Sequence, residues 1–128
     1  MDLSNFFNAG SVAIVGVSRD PNKVGHVILR NFVDGGFQGK IFVVNPNAGT
    51  ILNHKAYKSV TEIEEKPDLV VVAVPAPLVP SVIVECGRKK IKDVIIVTSG
   101  FKEEGNIQLD KKVESLLKKY KIRCIGPN

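Results

Sequence analysis

Residues 12–15, Val-Ala-Ile-Val, are apolar without alternation and stop at a glycine, Gly16. Such a run suits a central parallel strand buried on both faces. Beyond it Ser18 offers a hydroxyl, and Lys23 and Gly25 lead into a stretch where Val24, Val27, Ile28 and Phe32 recur at three- and four-residue steps. That spacing predicts a helix with these four residues on its inward face. A strand, a glycine turn and a helix N-terminus bring unpaired N–H groups and the positive end of the helix dipole to one turn. Arg19 and Lys23 add two cationic side chains beside it. The stretch reads as a cradle for nucleotide phosphates. Many strand–glycine–helix turns bind nothing, however, and Gly16-x-Ser18-x6-Gly25 is not the G-x-G-x-x-G dinucleotide fingerprint, so the rest of the chain has to decide.

Strands and helices alternate from there on. Gly35-Gly36 ends the first helix, residues 41–44 form a second buried strand, and Asn45-Pro46-Asn47-Ala48-Gly49 is a turn by composition. The segment 50–66 is mixed, with a short strand near Ala56-Tyr57 and a turn of helix over residues 61–65. Residues 69–74 are uniformly apolar and read as a third strand, stopped by Pro75-Ala76-Pro77. The helix after it is expected to turn Leu78, Val79, Val82, Ile83 and Cys86 inward. Residues 94–97 make the next strand, closed by Thr98-Ser99-Gly100-Phe101. A helix over residues 107–120 presents Leu109, Val113, Leu116, Leu117 and Tyr120 to the sheet, and residues 122–125 form a last strand before Gly126-Pro127-Asn128. Residues 2–11 read as a lead-in, with Phe6 and Phe7 covering an end of the core.

This alternation predicts an α/β fold with a doubly wound, mainly parallel, Rossmann-like sheet, a single domain over residues 1–128. In such sheets ligands sit beyond the carboxyl ends of the strands, where the strand order reverses. The turns at 16–25, 45–49, 75–77, 98–101 and 126–128 all follow strands, and right-handed crossovers put all five on one edge. Scattered in sequence, they converge in space.

Composition narrows what that edge meets. The 128 residues are 44% hydrophobic and 24% charged, a globular balance in which about two-thirds of the unfolded surface becomes buried. No apolar run approaches the roughly 18 residues of a membrane span, and the N-terminus lacks the basic start and apolar core of a signal peptide. The net charge of +5 comes from lysines spread along the chain, which argues against a nucleic-acid surface and for one anionic small ligand. Cys86 and Cys124 lie in apolar-periodic segments and suit buried free thiols of a reducing cytoplasm; no spacing of Cys and His suggests a metal.

Nicotinamide dinucleotides are the default ligand of this fold, but they usually need an Asp or Glu at the end of the second strand to hold the ribose. Asn45 stands there instead, with Pro46 and Asn47 after it. A neutral turn suits a ribose that carries a phosphate, as in NADP or coenzyme A. Pro75 and Pro77 make a rigid apolar ledge suited to an adenine or a pantetheine arm.

The motifs Ser11-Val-Ala-Ile-Val-Gly-Val-Ser18, Lys23-Val-Gly25, Val44-Asn-Pro46, Val74-Pro-Ala-Pro77, Thr98-Ser-Gly-Phe101 and Ile125-Gly-Pro-Asn128 occur in this order. Together they resemble the coenzyme A-binding domain of the NDP-forming acyl-CoA synthetases, the superfamily of the ADP-forming acetate–CoA ligases and the succinyl-CoA synthetase alpha subunit. The likeness covers essentially the whole chain, and each motif is weak alone but specific jointly. It implies that Gly16, Ser18 and Lys23-Val24-Gly25, with Arg19 beside them, bind the phosphates of CoA. It implies that Asn45 and Pro46 flank the adenosine phosphate, that Val74-Pro75 border the adenine, and that Thr98-Ser99-Gly100-Phe101 lie along the pantetheine arm, with Ala76 and Pro77 counted in the same site. One departure stands out: the family often has lysine where this chain has Asn47, which removes a cation expected at the 3′-phosphate.

The family's phosphorylated histidine belongs to a following domain, so the resemblance implies downstream ligase domains and an ATP-grasp subunit or domain as partners, with CoA or acyl-CoA as ligand. The chain is then the N-terminal part of a longer ligase and inactive alone. His26 and His54 match no family motif and are expected to be exposed polar residues; Asp68 simply precedes a strand, and Glu103 and Glu104 cap or solvate a helix. No catalytic residue is assigned. A stand-alone CoA-binding protein is the main rival, and an NADP-binding oxidoreductase domain a more distant one.

Overall fold

The computed structural model of the chain describes residues 8–47, 49–98, 101 and 106–126. Phe6, Phe7, Ser99, Gly100, Glu103, Glu104, Pro127 and Asn128, all weighed above, lie outside them. Strand β1 (Ser11–Val15) is buried along its whole length. It pairs in parallel with β2 (Lys40–Val44) on one side and with β5 (Leu69–Val72) on the other. Beyond β2 lie β4 (His54–Tyr57) and β3 (Thr50–Ile51); beyond β5 lie β6 (Asp93–Ile96) and β7 (Arg123–Ile125). The seven-stranded order is β3-β4-β2-β1-β5-β6-β7, and every pair is parallel except β3 with β4.

The uniform apolarity of the central strands follows from two covered faces. Ala13, Val15, Val70, Val72, Val94 and Ile96 point to one side, where helices α2 (Val79–Arg88) and α3 (Ile107–Lys119) bury Val79, Val82, Ile83, Cys86 and Val113. Val12, Ile14, Val43 and Val71 point to the other, against Leu29, Ile28 and Phe32 of helix α1 (Val24–Asp34). The chain steps from β1 toward β2 in one direction and from β5 toward β7 in the other, so the winding reverses between β1 and β5. Right-handed crossovers then place α1 opposite α2 and α3. The doubly wound fold is as expected.

Details depart from expectation for local reasons. Val24 and Val27 are exposed, and α1 instead buries Gly25, His26 and Leu29. The apolar period of α1 has two overlapping solutions, and contact between Gly25 and the β1 turn selects the one through residues 25 and 29. His26, expected to be exposed, is 4% exposed. Leu78 is 53% exposed because it ends a 3-10 turn (Ala76–Leu78) before α2 begins. The turn over residues 61–65 is a shorter 3-10 segment, Val60–Glu62. Cys124 is only partly buried, while Cys86 is fully buried as expected. The β3–β4 hairpin turns on Leu52 and Asn53, both at positive φ. A two-residue turn of that kind is usually announced by Asn-Gly; leucine at φ 46° gives no such signal.

Candidate functional site

Because the sheet strands are parallel, the loops after β1, β2, β5 and β6 gather at their carboxyl ends. The first step is at β1. Gly16 donates its N–H to the Val44 carbonyl at 3.1 Å and then turns at φ +99°. A Cβ there would stand 2.8 Å from the backbone of Ala73 and Val74, so only glycine lets the β1 and β5 loops lie this close. The loop that follows is built by short side chains. Ser18 Oγ accepts the Asp20 N–H at 3.0 Å, and Asp20 Oδ1 accepts the Asn22 N–H at 2.9 Å. Since Ser18 accepts here, its hydroxyl proton remains to be donated elsewhere.

The loop delivers the chain into α1 without a cap. Lys23, the residue before the helix, is extended and makes no side-chain capping bond, and no acidic residue stands in the first turn. The first helical bond runs from the Val27 N–H to the Lys23 carbonyl at 3.1 Å. The N–H groups of Val24, Gly25 and His26 therefore precede the helical ladder. Gly25 packs so tightly on the β1 turn that a Cβ would overlap the Gly16 carbonyl oxygen and lie 3.0 Å from the Val17 Cα. Uncapped donors, the helix dipole and the Lys23 ammonium thus meet at one point.

His26 holds this loop from behind. Its Nδ1 lies 2.7 Å from the Ser18 carbonyl and its Nε2 lies 3.2 Å from Arg30 Nη2. A carbonyl only accepts and a guanidinium only donates, so Nδ1 is the donor to Ser18 and Nε2 the acceptor from Arg30. No sequence signal pointed to this residue, because a histidine on an apolar-periodic helix is ambiguous until the buried face is known.

Two adjoining clefts open at this edge. The larger, about 540 Å³, lies between the β1 and β5 loops at the switch point and is lined by Gly16, Ser18, Lys23, Val24, Gly25 and Thr98, with Val74 and Pro75 opposite. The second, about 360 Å³, shares Gly16, Ser18, Val74 and Pro75 and extends past Asn45 and Pro46. It also reaches Lys58, Ser59, Ser81 and Glu85, none of which was foreseen. The first two follow β4, whose position beside β2 was unclear from a mixed segment; the last two lie on the first turns of α2. Asn45 is an organiser: its Nδ2 donates to the Val17 carbonyl at 2.7 Å and its Oδ1 accepts the Asn47 N–H at 2.7 Å. Thr98 ties the β6 loop to the β5 loop, donating to the Val74 carbonyl at 2.6 Å.

Other expected residues stand apart from the clefts. Arg19 Nε donates to the Thr50 carbonyl at 3.2 Å, leaning on the β3–β4 hairpin. Asn47 and Pro77 are exposed and line neither cleft. Ala76 and Phe101 are buried in the core over α2 and α3. Burial raises the Glu85 carboxyl above the usual range, a rise opposed by the Val60 N–H that it accepts at 3.0 Å.

A switch-point cleft with uncapped helix donors suits an anionic ligand with a nucleotide's shape. A family model of the CoA binding domain matches residues 10–128. The chain belongs to this family. The CoA-binding domain is 47% identical over 118 residues to an ADP-forming acetate–CoA ligase of Methanocaldococcus jannaschii, a match over 92% of this chain and 16% of that protein. It is 44% identical to the alpha subunit of ADP-forming acetate–CoA ligase I of Pyrococcus furiosus, over 100% of this chain and 29% of that subunit. Among solved structures, a dinucleotide-forming acetyl-coenzyme A synthetase 1 of Candidatus Korarchaeum cryptofilum, in complex with phosphate and ADP, superposes with a TM-score of 0.95 at 40% identity. That match covers 99% of this chain and 27% of the synthetase chain. The domain thus spans less than a third of the length of these relatives. No helix among its described residues is long and apolar enough to cross a membrane.

Proposed function

We propose that this domain holds CoA or acyl-CoA at the carboxyl edge of its sheet for an ADP-forming acyl-CoA synthetase. The observation that carries the reading is the uncapped N-terminus of α1 at the switch-point cleft, with Ser18 and Lys23 beside it. The CoA diphosphate would take the N–H groups of Val24 and Gly25, the spare proton of Ser18 and the charge of Lys23. Adenosine would occupy the second cleft between Asn45-Pro46 and Val74-Pro75. Pantetheine would run past Thr98. Lys58 lines the second cleft and would supply a cation for the 3′-phosphate where the family often has lysine and this chain has Asn47.

In a complete ligase this domain would work with a domain bearing a phosphorylated histidine and with an ATP-grasp unit, so that acyl-CoA, ADP and phosphate interconvert with acid, ATP and CoA. A stand-alone role has one observation in its favour. A conserved hypothetical protein of Pyrococcus furiosus, 26% identical with a TM-score of 0.72, is covered over 94% of its own chain. Calorimetric titration of the chain with CoA, NAD and NADP tests the site: CoA is expected to bind and NAD not, and NAD bound as tightly as CoA would refute the assignment.

A further inference from the structure

We infer that Glu85 reads the exocyclic amine of an adenine at the inner end of the second cleft, making this domain selective for a 6-aminopurine; the inference rests on the CoA reading above. The cleft has apolar walls from Val17, Val44, Leu78 and Val82. Walls of that kind suit a flat heterocycle and say nothing about which one. Selectivity has to come from the few polar groups, and most of these are already engaged. Ser81 Oγ donates to the Leu78 carbonyl at 2.9 Å, and Ser59 Oγ pairs with Thr61 Oγ1 at 2.8 Å. Asn45 spends both ends of its amide on backbone.

Glu85 differs. It is half-buried on α2, with Oε1 fixed by the Val60 N–H at 3.0 Å, and no donor among the described residues bonds Oε2. Lys58 lines the same cleft but forms no ion pair with it. A half-buried carboxylate with one oxygen held by backbone and the other open to the cleft can accept a donor from a ligand there. Burial raises this carboxyl, and a ligand N–H donated to Oε2 would favour its charged form. An adenine offers such a donor in its 6-amino group. The 6-oxo base hypoxanthine presents an oxygen instead, which the carboxylate repels.

The Val60 N–H also makes the substitution readable. In Glu85→Gln the amide oxygen must stay on Val60, because that N–H needs an acceptor, so the NH2 faces the cleft. A donor there opposes an amine and welcomes a carbonyl. Affinities of wild type and Glu85→Gln for CoA and for its hypoxanthine analogue, with thermal melts to verify folding, make the test. Wild type is expected to prefer CoA at least tenfold, and the variant to lose or invert that preference. Equal affinity of wild type for the two ligands, or a preference unchanged in Glu85→Gln, overturns the role of Glu85 while leaving the CoA site standing. A wild-type chain that binds neither ligand refutes the site itself, and this inference with it.

Discussion

Replacing Gly25 by alanine tests whether the proposed phosphate cradle is made by close packing of α1 on the β1 turn. The added Cβ would meet backbone, not a side chain that can swing away: it would overlap the Gly16 carbonyl oxygen and lie 2.8 Å from its carbon. Ordinary carbon–carbon contact begins near 3.5 Å, so the helix start has to retreat by about 0.7 Å or more. Overpacking of this kind costs about 1–3 kcal/mol, and alanine returns up to about 1 kcal/mol of helix propensity. The net loss is about 0–3 kcal/mol, and each kcal/mol lowers the Tm of a chain of this size by about 3–5 °C. The larger effect falls on the ligand, because the displaced residues carry the uncapped N–H groups. CoA affinity is expected to fall at least tenfold by calorimetry, and raising the salt should not change that ratio. Gly49→Ala is the control, since a Cβ there meets nothing within 4 Å. A Gly25→Ala chain that melts with wild type and binds CoA equally would refute close packing as the reason for this glycine.

Lys23→Ala should weaken CoA binding by about 1.5–3 kcal/mol, as for a charged hydrogen bond, and by less at high salt; the same loss at every salt concentration would show that charge is not its contribution. Asn47→Lys should raise CoA affinity severalfold while leaving dephospho-CoA nearly unchanged, and Lys58→Ala should shrink the preference between these ligands; equal shifts for both ligands would put the 3′-phosphate elsewhere. The chain alone should form no acyl-CoA from acid, ATP and CoA, since His26 spends both ring nitrogens on Ser18 and Arg30 and His54 Nδ1 bonds the Leu52 carbonyl, which the coupled assay checks directly. Burial pushes the Cys86 thiol up to about 12 and Cys124 up to about 11, so both should react slowly with a disulfide reagent at neutral pH. Their contribution to stability is intact below the unfolded thiol value near 8.5 and is lost as pH rises toward the folded values, by up to about 1.4 kcal/mol per pH unit for each thiol; denaturant melts at pH 8 and 10 that superimpose would contradict this.

The sheet was legible because its signal is redundant. Four uniformly apolar runs, each closed by Gly, Pro, Asn or Thr, admit few arrangements once right-handed crossovers are required. The candidate cleft was legible for a related reason: turns with unusual residues follow the strands, and parallel pairing brings them together without knowledge of any side chain. What escaped was whatever depends on a helix's rotation. Val24 and Val27 fit an inward stripe as well as Leu29 does, and only the contact of Gly25 with Gly16 decides between them. The wall of the second cleft escaped too, because Glu85 and Ser81 on α2 meet Lys58 and Ser59 through a β4 strand of four residues whose sequence hardly differs from a loop.

The same rotation explains why a single histidine matters to a loop eight residues earlier in the chain. Once Gly25 faces the sheet, its neighbour His26 has to point into the space under the 18–23 loop, where it is 4% exposed. A buried polar ring is costly unless both nitrogens are satisfied, and the groups within reach are a carbonyl and a guanidinium. Satisfying them pulls the Ser18 carbonyl inward and leaves the Ser18 hydroxyl on the cleft side. The residue that packs the helix and the residue that aims the loop are thus adjacent in sequence because one backbone contact sets both. Val24, on the far side of the same turn, is 57% exposed for the complementary reason: it faces the cleft. An apolar residue bare at that edge would be covered by the ligand proposed there.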